Sequence, residues 1–358
     1  MGRRNRKSKR RVNSLLLMLL LTASMLVVST YAWFSTNREV SIQGISAEVS
    51  AAAGLQISLD GEIWGSTVTV SDSTLAALNG KNIYQWPTKL SPVSTDGVVA
   101  SGGSDVGFYY GRLTTDGSGL QGVAAESARN AADSGATTSS TAKFIAFDIY
   151  LKNSSGLTAG DNLQLNVGSL LNVNTDSGHN GQTDTGLEYS ARVGFLLYDD
   201  TEPLSATGAT VRTLAIGDSP KVSIWEPNYN QHIQYVVDND SRVSALTTDF
   251  RTLGLTADSV GGADDVLTGI NSSTIPEGST AFAIPSTVKT SGNLGSATGE
   301  AAMNLVAVDG STPLKLGQNT IMRARVYIWL EGQDPDCNDT ASTGKEIKVQ
   351  INLCKPAE

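Results

Sequence analysis

The feature that most constrains this chain is a two-residue alternation of apolar and polar side chains. In the segment Phe144–Lys152 the apolar positions are Ile145, Phe147, Ile149 and Leu151. The segments Arg323–Leu330 and Ile347–Leu353 repeat the pattern. Because successive side chains of a β-strand point to opposite faces, this period predicts strands with one face in a core.

About a dozen such short segments, separated by turn-forming residues, predict an all-β chain. Val193–Tyr198 is apolar on both faces and predicts a central strand. The expected fold is an antiparallel β-sandwich, jelly-roll or immunoglobulin-like, with long loop insertions. After the N-terminal hydrophobic helix that precedes this fold, only Ser73–Leu78 and Val123–Ala132 have helical character. We expect a single extracellular domain over 33–358, with insertions at about 90–143 and 241–300. Within them, the stretch 114–143 has no aromatic residue, and 241–299 has only Phe250 and Phe282.

The N-terminus has the pattern of an export signal. All seven basic residues before Trp33 lie within the first eleven. The following stretch to Phe34 is mainly apolar and has no charged residue, and Leu15–Leu21 is all Leu and Met. About 20 apolar residues suffice for a helix that crosses a bilayer, and its positive flank stays in the cytoplasm. Thr30-Tyr31-Ala32 fits a signal-peptidase site, which favours cleavage between Ala32 and Trp33.

This leader predicts the location of the protein and its first binding partners. The expected location is extracellular or at the cell surface, and the first partners are the export machinery and a signal peptidase. The N-terminal hydrophobic helix contacts the membrane through residues 12–34 before cleavage. Without cleavage, residues 1–32 remain as a membrane anchor with the same orientation.

Several short segments resemble a known group of proteins. The leader end, Thr30-Tyr-Ala-Trp-Phe-Ser35, is similar to that of TasA/camelysin-like bacterial secreted proteins, and Phe144–Asn153, Ile224–Asn228 and Ile328–Cys337 look like segments of surface proteins with such leaders. The resemblance covers less than a third of the chain. It implies a bacterial surface or biofilm-matrix protein whose leader is removed by a dedicated, SipW-type signal peptidase.

Charge and residue usage exclude several classes of function. None of the 35 acidic residues precedes Glu39, so the exported body is strongly acidic and would repel a phosphate backbone. The whole chain has two histidines and two cysteines, and neither HExxH nor GxSxG occurs. Camelysin-like relatives are described as proteases, but no residues here match that role. We therefore expect no enzymatic activity and no cofactor.

The loop after the predicted strand Arg323–Leu330 is a candidate calcium site. Asp334, Asp336, Asn338 and Asp339 place side-chain oxygens close together, as a hard cation requires. The complete EF-hand pattern is absent. The alternative is a solvated acidic loop without an ion.

Two further features concern covalent bonds. Cys337 and Cys354 either pair, as an oxidising compartment permits, or remain thiols. A Lys–Asn crosslink, known from bacterial surface sandwiches, would need a buried lysine beside a carboxylate. Lys152 and Asp148 share one strand face, but we expect them to be ordinary surface charges.

These observations lead to a structural function as the first hypothesis. Cleavage before Trp33 would free residues 33–49, and a liberated strand can add to an open sheet edge of the next subunit. The alternative is that this segment is the body's own first strand. A surface adhesin or glycan- or protein-binding module is the runner-up, with Trp86, Tyr109, Tyr110 or Trp225 as contact residues. A secreted hydrolase is the third possibility.

Overall fold

The computed structural model describes a large part of the chain beyond the leader. The described residues are 18, 40–41, 46–51, 54–87, 89–99, 103, 105–113, 120–124, 142–154, 159–229, 231–234, 287–290, 294, 302–310, 312–332, 334, 336–337, 341, 344, 346–356. Three predicted features lie outside these residues: the leader with the exception of Met18; the cleavage site at Ala32 and Trp33; and most of the insertion at 241–300. Within the described residues, no helix has the length and apolar character to cross a membrane.

The described chain consists mostly of strands. They are β1 (Val40–Ser41), β2 (Ser46–Ala51), β3 (Leu55–Ser58), β4 (Thr67–Val70), β5 (Lys89–Leu90), β6 (Tyr109–Leu113), β7 (Leu120–Ala124), β8 (Ile145–Asn153), β9 (Asp161–Asn162), β10 (Gln164–Leu165), β11 (Leu170–Val173), β12 (Ala191–Pro203), β13 (Lys221–Glu226), β14 (Val288–Lys289), β15 (Met303–Asn304), β16 (Lys315–Leu316), β17 (Thr320–Leu330) and β18 (Ile347–Cys354). This confirms the all-β prediction.

Three short helices occur among the described residues: α1 (Asp72–Ala76), α2 (Leu187–Ser190) and α3 (Gly208–Val211). Helix α1 falls in the segment predicted to be helical and begins at a capping box, in which the Ser71 and Thr74 side chains each accept from the other's backbone N–H. The helix predicted over Val123–Ala132 is wrong at its start, and its remainder, 125–132, lies outside the described residues. Val123 and Ala124 end strand β7, which forms a hairpin with β6, and this pairing takes up their backbone groups.

Two six-stranded sheets form the body. In the first, here called sheet I, the strands lie in the order β14-β13-β12-β17-β8-β3. In the second, sheet II, the order is β15-β10-β18-β2-β4, and β11 also pairs with β18. Most neighbours are antiparallel, but β13 and β14 are parallel, and so are β2 and β18.

One hydrophobic cluster takes in residues of both sheets. The alternating residues of β8 predicted to face a core all belong to it, together with those of β17 and β18. Its members from the last strand are Ile347, Val349, Ile351 and Leu353. Thus the period-two pattern identified the inner faces correctly, because an apolar face of a sheet is stable only when another layer covers it.

The opposite face of sheet I is also buried, contrary to the expectation of surface charges there. Every residue of β8 except Lys152 is buried, and Asp148 is completely so. The segment from Asn82 to Phe108 covers this face: Asn82 Nδ2 donates to Asp148 O (2.8 Å), and Phe108 stacks on Phe144 with centroids 4.1 Å apart. Periodicity does not reveal such a cover, because it forms from distant loop residues.

Two arginines of β17 neutralise the buried Asp148. Arg323 Nη2 donates to Asp148 Oδ2 (2.5 Å) and Arg325 Nε to Oδ1 (2.7 Å), while Arg325 Nη1 also reaches Asp105 Oδ1 (2.6 Å). Burial alone would raise the pKa of Asp148, but the two guanidinium groups outweigh it and lower that pKa to about 2. This network therefore remains ionised throughout the pH range in which the protein is expected to work.

Removing the charge of Asp148 should destabilise the fold strongly. Asp148→Asn would leave two buried guanidinium groups with too little negative charge, and we expect a loss of about 3–5 kcal/mol in the free energy of unfolding. Urea denaturation at neutral pH measures it. Asp176→Asn is the matched control, because Asp176 pairs with Lys348 at the surface and should cost less than about 1 kcal/mol. Equal effects of the two substitutions would contradict this account.

Candidate functional site

A second group of buried charged side chains lies where β12 begins and where β13 and β17 end. Arg192 is the second residue of β12, Glu226 ends β13, and Glu331 directly follows β17. The turn after β17 adds Asp334 and Asp336, and all five side chains are buried. We call this set, together with His232, the Arg192 cluster.

Arg192 is the positive centre of the cluster. Its Nη2 atom donates to Glu226 Oε1 (2.8 Å) and to Asp334 Oδ2 (2.5 Å), and its Nη1 atom donates to the backbone oxygens of Tyr189 (2.7 Å) and Ala191 (3.1 Å). Burial opposes the charge of a guanidinium, but the surrounding carboxylates outweigh this and raise the pKa of Arg192. Arg192 is therefore permanently charged and holds two strands and the turn together.

The remaining carboxylate oxygens of Glu226 and Glu331 also have protein donors. Thr287 Oγ1 donates to Glu226 Oε2 (2.7 Å). Ser94 Oγ donates to Glu331 Oε1 (2.5 Å) and Trp329 Nε1 to Oε2 (3.2 Å). Buried carboxylates with such complete hydrogen bonding are typical of a structural network.

His232 and Asp336 form a buried pair within the cluster. The Nδ1 atom of His232 contacts Asp336 Oδ2, and the backbone N–H of Ile233 donates to Asp336 Oδ1 (2.9 Å). Burial, aided by the negative charge of Asp334, raises the pKa of Asp336 to about 7, although the hydrogen bond to His232 opposes this. Burial would lower the pKa of His232, but the bond to Asp336 outweighs it and the pKa is raised.

The predicted calcium ligands are only partly brought together. Asp334 and Asp336 are adjacent, whereas Asn338 and Asp339 lie outside the described residues. Ligand atoms of His232, Asp334 and Asp336 lie within 4.8 Å of one another, as a metal site would require. However, Asp334 binds Arg192 through Oδ2 and the Asp336 N–H through Oδ1 (2.9 Å), so protein groups already occupy both oxygens.

The Arg192 guanidinium thus balances the charge of Asp334, which a calcium ion would otherwise have to do. Ca²⁺ prefers six to eight oxygen ligands, and a histidine nitrogen is a poor substitute. The described contacts favour an ion-free network, and the calcium site stays a prediction that depends on Asn338 and Asp339.

The disulfide considered for Cys337 and Cys354 is not formed in the structure. Both residues are buried, and Cys354 donates its thiol to Gln164 Oε1 (3.7 Å). Cys337 follows Asp336, whose backbone oxygen lies against Gly186. Gly186 lies near the beginning of β18, whereas Cys354 is the last residue of that strand. Eight strand residues at about 3.3 Å each far exceed the ~6 Å between Cα atoms that a disulfide spans.

Of the four aromatic residues proposed for ligand binding, two are buried, and the side chain of Tyr110 lies outside what the structure describes. Trp225 is completely buried and donates through Nε1 to Thr290 Oγ1 (3.0 Å), and Trp86 is buried as well. Tyr109 is half-buried. An aromatic ligand groove built on the two tryptophans is therefore not present in this fold.

Sequence reasoning missed the partners of the acidic turn. Arg192 and Glu226 were not singled out, and His232 was not connected with Asp336, which lies 104 positions away. A charged residue opening the apolar run Val193–Tyr198 was the available signal, since such a residue needs a buried partner. Comparison of the chain with protein-family models, with curated proteins and with solved structures found no match.

The His232–Asp336 pair should make stability depend on pH. Both folded-state pKa values are raised, so the folded protein binds more protons here than the unfolded chain, and this contribution to stability is lost as pH rises. The loss begins above the ordinary pKa of Asp336, 3.8, and continues through about 7. We expect Asp336→Asn to flatten the decline of the free energy of unfolding between about pH 5 and pH 8.

Denaturation by urea at a series of pH values measures this slope. Asp218→Asn, at an exposed position, is the control and should leave the slope unchanged. A slope that survives in Asp336→Asn would assign the pH dependence to another group.

The ion-free network also predicts that calcium does not affect the stability of the protein. Because Arg192 supplies the positive charge, we expect neither EDTA nor added Ca²⁺ to shift the midpoint of thermal unfolding. Differential scanning calorimetry of the mature protein tests this. A calcium-dependent rise of several degrees, together with its loss in Asp339→Asn, would instead support the calcium loop.

Proposed function

We propose that this chain is an exported structural protein of the bacterial cell surface or extracellular matrix, able to form fibres by exchange of its N-terminal strand. In this proposal sheets I and II pack face to face as a β-sandwich, and the leader before Trp33 directs export. The observation that carries the proposal is the position of β2 in sheet II.

Strand β2 comes from the segment that follows the leader and is an interior strand of sheet II. It lies between β18 and β4, and its six residues pair in parallel with β18 from Ser46–Lys348 to Ala51–Leu353. On its other side, four residues pair with β4 in antiparallel register. Without β2, the strand β18 would expose an unpaired edge, which readily accepts a strand from another chain.

The chain around β2 is suited to exchange. Only residues 52–54 connect it to β3, and β3 belongs to sheet I. Gly54 has a φ of +77°, a left-handed conformation that glycine adopts without strain. If this connection straightens, the same six residues can pair with β18 and β4 of a neighbouring subunit. The backbone hydrogen bonds would be the same, so the exchange costs little free energy.

A disulfide between β2 and β18 distinguishes pairing of these strands within one chain from pairing between two neighbouring subunits. Glu48 and Gln350 are register partners, and neighbouring strands bring their Cα atoms within disulfide range. We expect the mature Glu48→Cys, Gln350→Cys variant, with Cys337→Ser and Cys354→Ser, to give a ladder of disulfide-linked multimers after concentration and oxidation.

The single variant Glu48→Cys in the same background is the control and should give dimers at most. Electron microscopy of the unmodified mature protein should show fibres under the same conditions. Monodisperse particles together with intramolecular disulfides alone would overturn the exchange and leave β2 as the body's own strand.

A further inference from the structure

A lysine, an asparagine and an aspartate meet in the interior where strand ends of sheets I and II come together. Asn153 ends β8 of sheet I, Asp161 begins β9, and Lys355 directly follows β18 of sheet II. All three are buried, with exposed fractions of 1%, 5% and 5%. A buried lysine is uncommon, because removing an ammonium group from water is costly.

One oxygen of the aspartate contacts both nitrogen atoms. Asn153 Nδ2 donates to Asp161 Oδ2 (3.0 Å), and Lys355 Nζ lies 3.5 Å from the same Oδ2. Asn153 Nδ2 also donates to Gly317 O (3.0 Å), which fixes the amide plane. The amine and the carboxamide therefore contact the same carboxylate oxygen, which can accept and return a proton.

The asparagine is not explained by its hydrogen bonds alone. Its Oδ1 atom is buried and has no hydrogen-bond partner among the described residues. An unsatisfied buried carbonyl oxygen costs free energy that a purely structural amide would avoid. The arrangement of a buried amine, a carboxamide and a shared carboxylate suits amide exchange better than it suits an ion pair.

We propose that Lys355 and Asn153 form an intramolecular isopeptide bond and that Asp161 transfers the protons. Lys355 Nζ first gives a proton to Asp161 and becomes a neutral nucleophile. It then attacks Asn153 Cγ, a new Cγ–Nζ bond forms, and Asp161 returns its proton to Nδ2. The Cγ–Nδ2 bond breaks, ammonia leaves, and the second proton lost by Nζ remains on Asp161. No oxidant or reductant is needed.

The bond would join the last strand of sheet II to β8 of sheet I. It would close a loop from residue 153 to residue 355 and restrict the unfolded chain, as a disulfide across a long loop does. Unlike a disulfide, it is insensitive to reduction. The inference does not depend on fibre formation, since every residue belongs to one chain.

Mass spectrometry of the folded mature protein tests the proposal directly. Trypsin cuts after Lys152, Arg192 and Lys348 but not between Lys355 and Pro356, so residues 153–192 and 349–358 form two peptides. We expect them to appear as one cross-linked species whose mass is lower than their sum by one ammonia. Complete recovery of the two separate peptides would overturn the proposal and leave Lys355 and Asp161 as a buried ion pair.

Variants assign the roles. Lys355→Arg keeps the charge but should abolish the cross-linked species, and so should Asp161→Ala, although Lys355 and Asn153 are both present. Lys315→Arg is the matched control, because Lys315 is exposed and its Nζ atom donates to the backbone oxygen of Ala159 (3.3 Å). In this variant the crosslink should persist. Loss of one water instead of ammonia would show a bond to Asp161 and contradict the role of Asn153.

Discussion

The buried charge of Asp148 is the constraint on which the arrangement of sheet I depends. A carboxylate in the middle of a central strand is stable only when cations lie beside it and a cover excludes water, and both conditions are met by distant parts of the chain. Arg323 and Arg325 come from the neighbouring β17, and Asn82 and Asp105 come from the covering segment. As a result, sheet I is buried on both faces, and its apolar face contributes to the hydrophobic cluster that it shares with residues of sheet II.

The Arg192 cluster repeats this principle at the strand ends. There, too, an arginine from a strand is held by carboxylates from a neighbouring strand and a turn, with protein donors on the remaining oxygens. Replacing one partner of such a group leaves an uncompensated buried charge, so the network determines which turn can lie against which strand. The acidic turn therefore owes its conformation to Arg192 and His232.

The proposed exchange of β2 and the proposed isopeptide bond act on the same strand. Strand β18 receives β2 through backbone hydrogen bonds, and Lys355 follows its last residue. In a fibre, tension would pass from β2 of one subunit to β18 of the next. The covalent bond to Asn153 would then transmit it to sheet I, so that separation of the two sheets would not be the weakest point of the fibre.

The sequence by itself determined the class of fold, the main strands and the inner apolar faces, because these follow from a two-residue period that needs no knowledge of distant residues. It also located the acidic turn at Asp334 and Asp336. Only the tertiary structure decided which charges are buried and with whom they pair. Asp148 was expected at the surface, and Arg192, His232 and the triad of Asn153, Asp161 and Lys355 were not recognised as partners. Such groups assemble from residues far apart in the chain, and their energy depends on the exclusion of water, which local patterns of residue types do not encode.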